Sequence, residues 1–183
     1  MFLRTTLCYF ILCSTHFALA QHHVIKGRLF ALPGNLAVSS IGIGYERVFA
    51  NQNAIQLLFN RNVVDMRETD GSKDVFVTLI PEVKHYFRPP EALHKSAYLA
   101  AFLEMRHYYA SGGSFNEKSL APGLLIGQHL HFSRKWYLEA YTGPLYRFAK
   151  EAYNMSDNGV VSLEKRAFSR FGWRFGFNLA YKI

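Results

Sequence analysis

The chain has only two cysteines, Cys8 and Cys13, and both lie near its N-terminus. If that segment is removed on export, no disulfide can hold the remainder together, although exported proteins often use them. Beyond this segment there is no run of about eighteen apolar residues, which excludes a membrane-spanning helix. Convincing 3.6-residue periodicity is also missing. The fold is therefore expected to consist of β-strands held by packing and polar contacts.

The first twenty residues have the composition of a secretory signal peptide. Arg4 precedes the apolar stretch from Leu7 to Cys13, and Ala18-Leu19-Ala20 is a small-x-small cleavage site. We expect residues 1–20 to be removed and residues 21–183 to form one domain.

Acidic residues are scarce relative to basic ones, 13 against 21, which gives the whole chain a net charge of +8. For an exported protein, this balance favours an anionic membrane surface over nucleic acid as the partner.

The last fifteen residues alternate strictly. Phe171, Trp173, Phe175 and Phe177 share one strand face with Leu179, Tyr181 and Ile183, while the other face carries Gly, Arg, Asn, Ala and Lys. A terminal strand with one apolar, aromatic face is typical of the strand that closes a membrane β-barrel.

Seven further segments alternate upstream, which predicts an all-β, eight-stranded antiparallel up-and-down transmembrane β-barrel. The eight predicted strands are Val24 to Leu32, Val38 to Phe49, Asn53 to Val64, Val75 to Phe87, Ala97 to Tyr109, Leu120 to Phe132, Trp136 to Ala149, and Ser169 to Ile183. The first is the weakest, because Lys26 and Arg28 share a face with Phe30.

The connections alternate in length, as they do when both termini lie in the periplasm. Short turns at 50–52 and 133–135 and an intermediate one at 88–96 are expected inside. Long loops at 65–74, 110–119 and 150–168 are expected outside, and only the connection at 33–35 is shorter than its outer position predicts.

The polar face resembles a crowded lumen, because it combines glycines with acids and bases in similar numbers. We expect a salt-bridge network inside the barrel formed by Glu46, Glu82, Lys84, Glu104, Arg106, Glu139, Arg147 and Arg174. The apolar face places aromatic residues near segment ends, as interfacial girdles do. A soluble secreted or periplasmic lipocalin-like barrel, with its apolar face inward around a ligand, is the alternative.

Three motifs extend this interpretation. Gly42-Ile-Gly-Tyr-Glu-Arg47, Pro81-Glu-Val-Lys-His-Tyr-Phe87 and the terminal Gly176 to Ile183 resemble strands of small outer-membrane β-barrel proteins of Gram-negative bacteria. The size class is that of OmpX and the OmpA membrane domain, and the chain is especially similar to uncharacterised Bacteroidota outer-membrane barrel families. Such families usually end in an aromatic residue, whereas this chain ends in Ile183.

The resemblance implies location in the cell outer membrane as a monomer. It also implies contact with outer-membrane lipid and lipopolysaccharide, and recognition of the C-terminal strand by the outer-membrane insertion machinery. Eight strands leave a lumen filled by side chains, so an open pore is not expected. The role is then structural or one of surface interaction, with no cofactor.

Two motifs could carry chemistry. After cleavage, His23 would be third in the chain, a spacing that can bind Cu(II) or Ni(II). The ordinary interpretation of this segment is a disordered N-terminal leader.

His131 and Ser133, with Glu139 nearby, could form a base, nucleophile and acid group. This His-x-Ser resembles that of outer-membrane lipid A deacylases, in which asparagine follows the serine; here Arg134 follows it. A membrane-embedded lipid A-modifying acyl hydrolase is therefore the second alternative, against lumen-lining histidines.

Overall fold

The chain folds into a closed barrel of eight antiparallel strands, as predicted. The computed structural model describes residues 20–32, 36–49, 52–66, 72–88, 96–109, 115–157 and 160–183. Each strand pairs with its neighbours along the chain, and the last pairs with the first. The strands are β1 (Ala20–Leu32), β2 (Leu36–Phe49), β3 (Asn53–Met66), β4 (Ser72–Tyr86), β5 (Ala97–Tyr109), β6 (Phe115–His131), β7 (Trp136–Asp157) and β8 (Val160–Lys182).

The predicted signal peptide lies outside the described residues except for Ala20, where β1 begins. The connection at 33–35 lies outside them as well. Within the described residues, no helix is long and apolar enough to cross a membrane.

Strand alternation sorts the side chains into two environments. In β3, Ala54, Gln56 and Leu58 are buried, whereas the alternate residues Ile55 and Leu57 are exposed. The same period of two holds along the other strands, because successive side chains of a strand point to opposite faces of the sheet. The large apolar residues therefore cover the outer wall, and the polar and small residues fill the lumen.

The strands extend further than predicted at the end of the barrel that carries the expected outer loops. β6 begins at Phe115, so half of the expected 110–119 loop is strand. Both ends of the expected 65–74 loop are strand as well, because β3 continues to Met66 and β4 begins at Ser72. The largest difference concerns the expected 150–168 loop. β7 continues to Asp157 and β8 begins at Val160, in register throughout. Backbone pairing continues there although the apolar alternation has ended.

The opposite end of the barrel carries the tight turns. Gln52 adopts a left-handed φ of 66°, and its carbonyl accepts a hydrogen bond from the amide of Tyr86 at 2.8 Å. At the next tight turn the amide of Phe132 donates to the carbonyl of Trp136 at 3.3 Å. The start of β1 and the end of β8 lie on this side, since the amide of Lys182 donates to the carbonyl of Lys135 at 2.8 Å and the amide of Ile183 donates to the carbonyl of His23 at 2.9 Å.

The seam that closes the barrel is its shortest interface. β1 and β8 pair from Val24 opposite Lys182 to Gly27 opposite Leu179, and the register ends there although both strands continue. By contrast, β7 and β8 pair from Trp136 opposite Tyr181 to Asp157 opposite Val160. The predicted closing partner of the terminal strand is thus confirmed, and it is used along only part of its length.

Candidate functional site

Two acids and two lysines form the centre of the lumen near the tight-turn end. Lys26 lies 2.6 Å from Glu46 and 2.8 Å from Glu139, and Lys84 lies 2.9 Å from Glu46 and also contacts Glu139. All four side chains are at most 1% exposed. Each carboxylate thus contacts two ammonium groups, and the four charges cancel. We call these four residues the inner charged cluster.

Polar neighbours satisfy the remaining oxygens of its carboxylates. The Tyr86 hydroxyl donates to Glu46 at 2.5 Å, and the Asn178 amide donates to Glu139 at 2.7 Å. His129 Nε2 lies 3.4 Å from Glu139. Buried ions are tolerated only when their hydrogen-bonding capacity is filled in this way.

A second chain of contacts leads away from the inner charged cluster. Lys26 also donates to the side-chain oxygen of Gln56 at 2.5 Å, and Gln56 donates to Glu82 at 2.8 Å. The other oxygen of Glu82 accepts from Arg174 at 2.5 Å. The Arg174 guanidinium lies over the ring of Phe102, 4.6 Å from its centroid. The hydrogen bonds of this chain join four strands, β1, β3, β4 and β8, across the lumen.

Further ion pairs lie towards the opposite end. Arg147 contacts Glu104 at 2.6 Å, and Arg106 contacts Glu117 at 2.6 Å. These pairs are partly exposed, so water weakens them relative to the inner charged cluster.

Apolar side chains fill the lumen between the polar groups. Along β3, Leu58 lies between Gln56 and Asn60 on the inward face, and it faces Ile80 of β4 in register. The buried residues of this core include Leu58, Ile80, Phe102, Leu125 and Leu145. Among the described residues, ion pairs and packed apolar groups thus alternate along the interior of the barrel.

All eight residues of the expected lumen network lie inward, but sequence reasoning left its pairing open. In the structure Glu104 contacts Arg147, and Glu82 contacts Arg174. The contribution of Lys26 was missed because its strand alternates weakly. The alternation of Lys26 and Arg28 with the apolar Ile25 and Leu29 was the available signal.

The residues of the hypothetical acyl-transfer group have other partners. The Ser133 hydroxyl accepts hydrogen bonds from the backbone amides of Lys135 at 3.3 Å and Trp136 at 2.9 Å, so it caps the tight turn between β6 and β7. The ring of His131 lies 4.8 Å from that of Tyr137. The histidine beside Glu139 is His129.

His23 lies at the start of β1, where its Nδ1 is 2.5 Å from the hydroxyl of Tyr45 and the two rings stack. In the part of the chain that the structure describes, no three His, Cys, Asp or Glu side chains converge as metal ligands would.

Between the two ends of the barrel, the outer wall is mainly apolar on every strand whose side chains are described there. Phe175 is 71% exposed and Ile43 is 63% exposed. Exposed residues of the same kind continue around the barrel: Ile41, Leu57, Phe59, Val83, Leu99, Leu124, Ile126, Phe148, Phe171, Trp173 and Phe177. A soluble lipocalin-like barrel has the opposite arrangement, with its apolar face inward. An apolar surface of this extent marks a site of contact with lipid or protein.

The similarity of the chain to known proteins is low. No protein-family profile and no curated protein sequence matches the chain. Among solved structures, the crystal structure of Neisserial surface protein A (NspA) is similar with a TM-score of 0.46 and 13% sequence identity, over 88% of this chain and 96% of that one. At that TM-score and identity, the similarity carries no argument about function.

Proposed function

We propose that this protein is an integral outer-membrane β-barrel with a filled lumen, whose outward end makes structural or binding contacts at the cell surface. The observation that carries the proposal is the opposition of the two faces: apolar side chains cover the outer wall, and paired charges fill the interior. In a bilayer core, only a closed barrel or a helix can satisfy all backbone hydrogen bonds.

The dimensions of the apolar wall support a bilayer as its surroundings. In β6 the outward residues are apolar from Leu120 to Ile126 and again at Leu130, with Lys118 above them. A tilted transmembrane strand needs roughly 9–11 residues. Tyr45, Trp136 and Tyr181 lie near the tight-turn end, where an interfacial girdle would lie.

The orientation follows from assembly. Barrels inserted from the periplasm keep their termini and short turns on that side. The extended hairpin of β7 and β8 would then project from the cell surface, where it could contact other molecules. The outward aromatic residues of β8 would serve the insertion machinery as its recognition signal, as the sequence resemblance implies.

Cell fractionation tests the location. We expect the protein to remain in the outer-membrane fraction after washing with high salt and with urea, and to be released only by detergent. Recovery in a soluble fraction without detergent would contradict the proposal.

Electrical recording tests the filled lumen. Purified protein inserted into a planar bilayer should give no stepwise current, because ion pairs and apolar side chains occupy the barrel interior. A steady ohmic conductance would exclude this part of the proposal.

A further inference from the structure

We propose a binding site for a phosphate-bearing lipid of the outer leaflet on the outer wall, where β6, β7 and β8 leave the apolar belt. Lys118 and Lys150 hold the phosphate, and Leu120 and Phe148 contact the acyl chains. This inference rests on the proposed function, because its ligand is a lipid of the surrounding membrane.

The two lysines lie directly opposite each other in neighbouring strands. Lys118 pairs with Lys150 in the register of β6 and β7, and both side chains are exposed on the outward face. Directly opposed residues have Cβ atoms roughly 4.5–5.5 Å apart, and like charges at that spacing repel. An anion between the two ammonium groups would remove this cost.

Among the side chains that the structure describes in β5 to β8, none offers such an anion on that face. The acidic residues whose side chains are described in these strands are Glu104, Glu117, Glu139 and Glu151, and strand alternation places each of them inward. Two further groups lie on the outward face. Lys165 in β8 is exposed and adds positive charge, and His107, which faces Lys118 in register, adds a polar ring. The counterion is therefore expected from outside the barrel.

The surface directly beside the lysines selects an amphiphile. A groove of about 640 Å³ runs between Lys118, Lys150 and the neighbouring Leu120 and Phe148. Leu120 is 44% exposed and Phe148 is 52% exposed. The ring of Tyr146 lies 5.1 Å from that of Phe148 and continues the apolar surface away from the lysines. A ligand that fills this groove has an anionic head and apolar chains.

Phosphate is the head group that suits two lysines best. Lysine binds phosphate as a compact charge, through charge-assisted hydrogen bonds that can come from more than one direction. In the proposed orientation, the lysines lie at the outer boundary of the bilayer, where phosphates of outer-leaflet lipids lie. Lipid A with its phosphates is therefore the probe of choice.

The test measures lipid retention. Protein in phosphatidylcholine nanodiscs containing a small fraction of bisphosphorylated lipid A is extracted in mild detergent, and the bound lipid is quantified by native mass spectrometry. We expect the double variant Lys118→Gln with Lys150→Gln to bind lipid A about thirtyfold more weakly, since each lysine near an anionic lipid surface contributes roughly fivefold. Lys118→Arg with Lys150→Arg should retain binding.

The control variant removes the same charge elsewhere. Arg88→Gln with Arg134→Gln changes two exposed cations in the connections at the opposite end of the barrel and should leave retention unchanged. Equal retention by the Lys118→Gln, Lys150→Gln variant and wild type would overturn the inference. So would equal binding of dephosphorylated lipid A, or binding of inorganic phosphate as tight as that of lipid A. Those outcomes leave the membrane barrel intact, whereas failure of the wild type to enter nanodiscs would overturn both proposals.

Discussion

At the scale of single residues, the barrel depends on the pairing of the charges buried at its centre. Glu139 accepts from Lys26, Lys84 and Asn178 in a site from which water is excluded. Removing one member of such a group destabilises the protein more than replacing the whole group by apolar residues, because the remaining charges stay buried without a partner.

Glu139→Gln should therefore strongly destabilise the folded barrel. The substitution keeps the shape of the side chain but leaves Lys26 and Lys84 with Glu46 as their shared carboxylate. We expect the free energy of unfolding to fall by about 3–5 kcal/mol, measured by urea titration in lipid vesicles. Arg88→Gln, at an exposed position, should change it by less than about 0.5 kcal/mol. An unchanged unfolding free energy for Glu139→Gln would contradict the role of the inner charged cluster.

A glycine in β7 marks a close approach of two strands. A Cβ atom added to Gly143 would collide with the carbonyl oxygen of Leu124 and lie 2.9 Å from the Cα atom of Leu125. Gly143→Ala should cost about 1–3 kcal/mol of unfolding free energy, because backbone has to move. Gly27→Ala is the matched control, since no heavy atom lies within 4 Å of the added Cβ. Equal urea midpoints for the two variants would show that the strands can separate without cost.

The residues of the charged interior could be predicted from alternation, but their partners could not. Period two assigns Glu82, Glu104, Arg147 and Arg174 to one face of their strands. Which of them meet depends on the stagger between strands and on how far each side chain reaches across the lumen. Neither quantity is encoded in a local pattern, so Glu82 with Arg174 and Glu104 with Arg147 emerged only from the structure.

At the scale of elements, the strands differ in how firmly they are joined. The β7–β8 hairpin is paired along its whole length, whereas the β1–β8 seam is paired only from Val24 to Gly27 on the β1 side. Strand existence was predictable for all eight elements, and β5 was predicted with its observed bounds. The part of β7 beyond Ala149 was not predictable, because backbone pairing there continues without an alternating apolar face.

The seam register predicts where a disulfide can form. Gly27 and Leu179 are directly opposite, so Gly27→Cys with Leu179→Cys should form a disulfide once the barrel closes. In the control, Gly27→Cys with Phe175→Cys, the second cysteine is displaced by about 13 Å along β8 and should stay reduced. Cys8 and Cys13 are replaced by serine in both, and free thiols are counted after oxidation of the folded protein. A disulfide in the control alone would show that the seam has another register.

At the scale of the whole molecule, the polarity of the two faces is inverted relative to a soluble barrel: the outer wall is apolar, and the charged groups lie in the lumen. Leu124 and Ile126 are more than half exposed on the outer wall, while Leu125 between them is buried inside. This inversion has a physical explanation if lipid surrounds the wall, since apolar side chains then contact an apolar solvent. The filled interior supplies the stability that lipid contacts alone do not.

Fluorescence quenching, by one quencher in the lipid and another in the water, tests this account most directly. Single cysteines at Leu124, Ile126 and Arg134 are labelled with a small fluorophore, and the protein is reconstituted into lipid vesicles. We expect a lipid-attached quencher to act on the labels at positions 124 and 126 and soluble iodide to leave them bright, with the reverse at position 134 in the exposed turn. Quenching by iodide at positions 124 and 126 would contradict a bilayer-embedded wall.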